Sequence, residues 1–219
     1  MRDSMRDRIL AAAVSVMRDR GITSTTTKEI ARVAGVAEGS IYNHFANKTA
    51  LVAACMAEVA GGIREALVRL TGRVGEGTVD DNLAELAEAE IAFFADLLPI
   101  TGPVLGDPSL REWLRDGGPR TAEDRPGGDT PPGPVLGHAV LIAYLEAEQR
   151  AGRVAPYARP PYLAATLIGA CHQYAFVRLL SPPEAMAEVA GLPADPAEYA
   201  REIVGTVMMG HHPRRARPH

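Results

Sequence analysis

Apolar residues recur along this chain at helical spacing, and no stretch keeps the strict alternation of a half-buried strand. Ile9, Ala13, Val16 and Met17 fall at i, i+4, i+7 and i+8, and Gly21 sits where that first helix should stop. In TTTKEIARVAG, Thr26 followed three residues later by Glu29 is a capping-box signature, which predicts a helix to about Ala34, ended by Gly35. A short helix follows over roughly Glu38 to His44. Asn47 then caps a long one, with Leu51, Cys55, Val59, Ile63, Leu67 and Leu70 on a single stripe that fades into GRVGEG, a Gly-rich turn and candidate boundary. Leu83, Ala87, Ile91, Phe94 and Leu98 mark a further helix stopped by Pro99. The period returns from Leu136 to about Gly152, over about Pro161 to Leu180, over Glu184 to Ala190, and from Asp195-Pro196 to near Gly210. The fold class this predicts is all-α.

Proline and glycine interrupt the pattern once. Residues 99–137 hold 8 of the 17 prolines and 8 of the 21 glycines, so little of that span is expected to be regular. The exception is DPSLREWLRD, where Asp107 can cap and Pro108 suits the first helical position. A mobile loop is expected over about 115–134, and a loose basic tail over 211–219.

Composition narrows the class. A chain of 219 residues, 47% apolar and 23% charged, buries a core without metal or disulfides. Cys55 and Cys171 match no redox or metal-ligand spacing, and neither a metal nor a cofactor is expected. No apolar run reads as long enough to cross a bilayer, and MRDSMRDRIL carries charges where a signal peptide needs apolar residues. The expectation is a reduced, cytoplasmic protein with no membrane partner. Charge is uneven beneath a net of −4: residues 1–50 carry 8 Lys and Arg against 5 Asp and Glu, and both lysines of the chain, Lys28 and Lys48, lie there. A basic head on an acidic body suits a polyanion at the head.

Three short helices followed by a long one arrange GITSTTTKEIARVAGVAEGSIYNHFANKTAL as a helix-turn-helix. Ile30 and Ala34 face inward, Ala31 is small enough for a close crossing, and Gly35 can take the left-handed conformation of the sharp turn. Val36, Ile41 and Phe45 point to the core. The outer face of the second helix of the pair is left with Gly39, Ser40 and Asn43, flanked by Tyr42 and His44, short and polar enough to approach base edges in a major groove. Thr26, Thr27, Tyr42, His44 and Lys48 ring that face and suit phosphate oxygens. Lys28 reads either as a base contact or as a solvated surface residue. Glu38 favours the helix dipole and can accept from a cytosine amino group.

At these residues the segment resembles the TetR/AcrR family of bacterial transcriptional regulators: Gly21, Thr25-Thr26-Thr27, Ile30-Ala31, Ala34-Gly35-Val36, Gly39-Ser40-Ile41-Tyr42-Asn43-His44-Phe45 and Lys48, over about residues 8–56. Ala37 departs from the pattern, standing where the family often has a capping Ser. The resemblance implies nine to ten helices, with a DNA-binding domain over 1–50 and a helical ligand-binding and dimerisation domain over 51–210. It implies a homodimer on a near-palindromic double-stranded operator, released when a small-molecule effector swings the 48–70 helix. Phe94, Trp113, Tyr144, His172, Gln173 and Tyr174 stand on helices that line the family's pocket; core or interface packing is the competing reading for each. Glu85, Glu88 and Glu90 read as a solvated helix face. No nucleophile elbow, zinc-hydrolase motif, phosphate loop or dinucleotide fingerprint is present, so no catalytic residue is expected. The rival readings are a dimeric helical scaffold that has lost operator recognition and, further off, a small-molecule-modifying helical enzyme.

Overall fold

The computed structural model describes residues 4–101 and 133–213, with Pro108 and Glu112 between them. Every regular element among the described residues is a helix: α1 (Met5–Ser24), α2 (Thr27–Ala34), α3 (Glu38–Tyr42), α4 (Lys48–Val59), α5 (Gly61–Thr71), α6 (Val79–Thr101), α7 (Gly133–Arg150), α8 (Pro160–Leu180), α9 (Pro183–Glu188) and α10 (Pro196–Met208). They group into two compact units, Met1–Gly61 with Asp96–Gly133, and Gly62–Ala95 with Pro134–His219.

In the first unit, α1 packs against α2 and α4, and α2 against α3. Ser4 opens α1 with a reciprocal capping box: its hydroxyl accepts from the Asp7 N–H while Asp7 accepts from the Ser4 N–H, both at 3.2 Å. Those bonds hold the Asp7 carboxyl below its ordinary range. Gly21 interrupts α1 at φ 73°, ψ 164°, outside helical space, and helical turns resume after it. The core comprises Ile9, Ala13, Val16, Met17, Ile30, Ala31, Ile41, Phe45, Leu51 and Cys55. Ala34 and Val36, expected inside, are only half-buried. Arg18 on α1 pairs with Asp96 at 2.6 Å.

The stripe from Leu51 to Leu70 is buried throughout, yet it belongs to two helices. α4 ends with Ala60 as its C-cap, still right-handed at φ −75°, ψ −5°, and a separate helix starts at Gly61-Gly62, two residues of poor helix propensity. The single 48–70 helix expected from the pattern is therefore corrected to α4 and α5. Pro99 likewise does not stop α6, which runs on to Thr101. Its missing N–H costs one rung, and the Thr101 hydroxyl donates to the Leu97 carbonyl at 2.9 Å nearby.

In the second unit, Arg69 on α5 reaches Glu85 on α6 at 3.1 Å, and Arg73 joins the same carboxylate. The Gly-rich turn lies inside this unit and is pinned from several sides. Asn82 Nδ2 donates to the Glu76 carbonyl (2.9 Å) and to the Tyr144 hydroxyl (3.0 Å), and the Gly75 N–H donates to Glu148 Oε1 at 3.1 Å. Arg153 donates to the Glu76 and Gly77 carbonyls and places Nε 3.1 Å from the fully buried Glu148 Oε2, an ion pair without hydrogen-bond alignment. Gly75 and Gly77 both take positive φ, which the turn requires.

α8 packs on α10, where Tyr174 and Tyr199 stack with ring centroids 3.9 Å apart. By length and composition α8 is apolar enough to cross a bilayer, contrary to the sequence expectation; the buried part of its surface packs within this unit. The expected loop over about 115–134 lies outside the described residues except at its end, where α7 already begins at Gly133. The tail expected from residue 211 begins held: the His211 carbonyl accepts from the Ala155 N–H at 2.7 Å, and His212 pairs with Asp80 at 3.4 Å. Residues 214–219 lie outside the described set.

Candidate nucleic-acid interface

The sequence builds the α2–α3 pair from its caps. Thr26 precedes α2 in extended conformation and its hydroxyl accepts from the Glu29 N–H at 3.2 Å, satisfying one orphan donor of the first turn. The reciprocal half of the expected capping box is absent. The Glu29 carboxylate turns instead to Arg20 (2.8 Å) and Arg32 (3.4 Å), where it gains charge-assisted partners. Gly35 closes α2 at φ 66°, ψ 38°, and the Val36 N–H reaches the Ala31 carbonyl at 3.0 Å, so the chain reverses within a residue.

α3 begins at Glu38 with no side-chain cap, because Ala37 has no oxygen to offer. It ends at Tyr42, earlier than the expected His44, with both the His44 and Phe45 N–H groups converging on the Ile41 carbonyl at 3.0 and 2.9 Å. Ile41 and Phe45 anchor the inner side. Gly39, Tyr42, Asn43 and His44 are exposed, and Ser40 is half-buried. A Cβ built on Gly39 meets nothing within 4 Å, so the helix surface there is open.

Three predicted residues come together around a hydrogen-bond chain. The Tyr42 hydroxyl donates to Thr27 Oγ1 at 3.4 Å, and the Thr27 hydroxyl donates to Glu38 Oε1 at 2.6 Å. Thr26 is engaged as a cap. Lys48, on the first turn of α4, donates from Nζ to the Thr25 carbonyl at 2.8 Å. Lys28 is exposed. Sequence reasoning missed Arg6, whose guanidinium lies 5.2 Å from the Phe45 ring centroid, and Thr25, buried with its hydroxyl donating to the Gly21 carbonyl at 2.7 Å.

The residues singled out for a ligand are dispersed, one pair excepted. Phe94 and His172 meet edge to face with centroids 5.0 Å apart. Tyr144 is buried, its hydroxyl held by Asn82, and burial pushes it up to about 12. Tyr174 donates to the Pro193 carbonyl at 2.8 Å beneath its stack with Tyr199. Gln173 faces solvent, and Trp113 lies outside the described residues. The acidic face expected on α6 needs correcting. Glu88 is exposed and Glu85 is paired with arginines, whereas Glu90 is buried, and burial raises its carboxyl to about 7. Cys55 and Cys171 are both free and buried, each pushed up to about 12 by desolvation.

The family model described as bacterial regulatory proteins, tetR family, matches residues 9–55. The transcriptional repressor KstR2 of Mycolicibacterium smegmatis is 43% identical over 49 residues, 22% of this chain and 24% of that protein, so the chain matches about a quarter of that relative's length. Over nearly the whole chain the likeness is one of fold. A TetR transcriptional regulator from Chloroflexus aurantiacus superposes with a TM-score of 0.63 at 20% identity, over 95% of this chain and 96% of that one. FadR of Bacillus subtilis, solved with stearoyl-CoA, gives 0.64 at 16% identity over 94% and 98%. Over residues 9–55 the chain is thus similar to the tetR family of bacterial regulatory proteins, and along almost its full length it shares the fold of a solved TetR regulator.

Proposed function

We propose that this chain is a ligand-responsive transcriptional repressor that binds a near-palindromic operator as a homodimer. Residues 1–50 carry the DNA contacts, and residues 51–210 carry the effector site and the dimer interface. The observation that carries the reading is the outer surface of α3 and the turn after it: Gly39, Tyr42, Asn43 and His44 stand exposed, while Ile41 and Phe45 are buried on the inner side. Short polar groups on a rigid, narrow helix suit base edges in a major groove, with Thr26, Thr27, Lys28 and Lys48 around them for phosphates. In a dimer the two heads sit one duplex turn apart, about 34–36 Å, and meet successive grooves.

Support for a second copy comes from α8. Tyr162, Thr166, Gly169, Gln173, Phe176 and Leu180 recur at alternating spacings of four and three and are all exposed, leaving an apolar-edged stripe along one side of the helix. The relative in Mycolicibacterium smegmatis is a repressor and FadR was solved with stearoyl-CoA, which favours repression and a small-molecule effector here. Because the helical run breaks at Ala60, we place coupling between effector and DNA in a change of equilibrium between two dimer states. It does not need one rigid lever.

Fluorescence anisotropy with duplexes from the region upstream of the chain's own gene, at stepped salt, tests this reading. A site-specific complex whose log affinity falls linearly with log salt is expected. Equal affinity for a scrambled duplex, or a monomer at micromolar concentration in sedimentation, overturns it; the first outcome favours the dimeric scaffold.

A further inference from the structure

Glu90 is the buried acid of the second unit that nothing in the structure explains. It is 4% exposed, no hydrogen bond or ion pair reaches it among the described residues, and desolvation is what raises its carboxyl. Glu148, the other buried glutamate, shows what this unit does with a structural carboxylate: Arg153 and the Gly75 N–H both hold it. A carboxyl taken from water without such partners destabilises the fold, and a leucine or glutamine would serve packing better. An acid buried without a partner among the described residues of a helical unit is a candidate for a group that meets a ligand.

Its surroundings specify that ligand. Glu90 stands on α6 one turn before Phe94, so the two share a face of the helix. Across from them on α8 lie Cys171, close enough for its thiol to feel the Glu90 charge, and His172, whose ring meets Phe94 edge to face at 5.0 Å. On the α7 side is Gly137, where even an added methyl would stop 3.7 Å short of Glu90 Oε1. The carboxyl and Cys171 are buried, Phe94 is half-buried and His172 is exposed, so the group runs from an aromatic rim to an acidic floor.

We propose that Glu90 binds the protonated nitrogen of a small amine whose apolar or aromatic body lies along Phe94 and His172. This rests on the reading of the chain as a ligand-responsive regulator and names the class of effector. The Cys171 thiol, pushed up to about 12, stays neutral and offers no rival charge. An ammonium donates to both carboxylate oxygens and meets the negative face of an aromatic ring favourably. An anion of the same shape would face the carboxylate and be rejected.

The probe is 2-phenylethylammonium, with 3-phenylpropionate as the anionic control, on the full chain by thermal shift and titration calorimetry. At millimolar amine the melting temperature should rise while the anion leaves it unchanged, and Glu90→Gln should weaken amine binding at least about tenfold. Calorimetry near pH 7 in two buffers of different ionisation enthalpy should show about half a proton released per amine bound, as Glu90 becomes fully charged. That proton belongs to Glu90 alone and should vanish in Glu90→Gln. Phe94→Ala should weaken the amine without removing the proton release. Equal stabilisation by amine and anion, no response to millimolar amine, or unaltered amine binding by Glu90→Gln overturns the proposal. DNA binding measured without amine separates the two readings. If the duplex fails to bind but the amine binds through Glu90, the site stands and the regulator reading falls; operator binding with no amine response is the reverse.

Discussion

Replacing Glu90 by glutamine should change how stability varies with pH in one direction over one window. Burial raises the folded-state carboxyl from 4.5 to about 7. Below pH 4.5 the acid is protonated in both folded and unfolded chains and contributes nothing to the difference. Between 4.5 and about 7 it ionises in the unfolded chain while staying neutral in the fold, so the unfolded state gains and stability falls as pH rises. Above about 7 both states are charged and the deficit is constant. A displacement of that size corresponds to roughly 3 kcal/mol, an upper figure because structural relaxation and water entry reduce it. Glu90→Gln has no proton to lose, so its stability relative to wild type should climb by up to this amount between pH 4.5 and 8.

The assay is urea unfolding at several pH values with wild type and variant in parallel. Taking the difference at each pH removes the titration of the histidines. The neighbouring groups that titrate are the Cys171 thiol and the His172 imidazole on α8, and His138, which follows Gly137 on α7. The thiol stays neutral across the window. A constant offset, from the amide's own need for partners, does not affect the slope. A difference that is flat from pH 4.5 to 8, or that shrinks as pH rises, refutes the assignment of Glu90 as a buried, unpartnered acid.

Other perturbations test separate parts of the structure. Ala37→Ser should supply the missing cap of α3 and stabilise the protein by about 1 kcal/mol, read as a higher urea midpoint with an unchanged m-value. Gly35→Ala should destabilise by roughly 1–2 kcal/mol from its φ of 66° alone, since an added Cβ there meets nothing within 4 Å. Glu148→Ala should cost about 1–3 kcal/mol in thermal unfolding, because it removes the acceptor of the Gly75 N–H and the counter-charge of Arg153. Tyr42→Phe and Lys48→Ala should each weaken duplex binding about equally for all sequences, and the lysine variant should flatten the salt slope by about one; an unchanged affinity would mean the wrong face has been chosen.

What could be read from the sequence was what the chain decides locally. Thr26 and Asn47 cap their helices because each needs only the backbone N–H three residues on. Gly35 ends α2 because a left-handed turn there excludes most other residues. The burial of Leu51, Cys55, Ile63 and Leu67 follows from spacing, although the pattern could not reveal the break at Ala60: neither glycine there removes an apolar position from the stripe. Long-range partners were beyond local reading. Glu29 looks like half of a capping box until Arg20, nine residues away, claims its carboxylate. Glu85, Glu88 and Glu90 are alike as letters, and only the helices placed around them make one an ion-pair partner, one solvated and one an isolated acid.

The same distinction bears on how the head would hold DNA. Tyr42 and Thr27 read from the sequence as hydroxyl donors for phosphate, yet in the free protein both protons are committed along one chain that ends on the Glu38 carboxylate. A phosphate oxygen that takes the Tyr42 proton therefore replaces one acceptor by another, and such an exchange is worth far less than a new bond. Lys48 is in the same position, since it must leave the Thr25 carbonyl. The gain on binding then has to come from counterion release by exposed cations such as Arg6, Lys28 and Arg32, a term that does not depend on sequence. Discrimination is left to the groups the exchange sets free. Once Thr27 turns to phosphate, Glu38 stands at the start of α3 with an unsatisfied carboxylate beside Gly39 and Ser40. In the groove a base that offers an amino group would be a direct partner for it, in competition with water. If the proposed face is the one that meets DNA, the internal chain would occupy the Glu38 carboxylate off DNA and free it when Thr27 turned to phosphate.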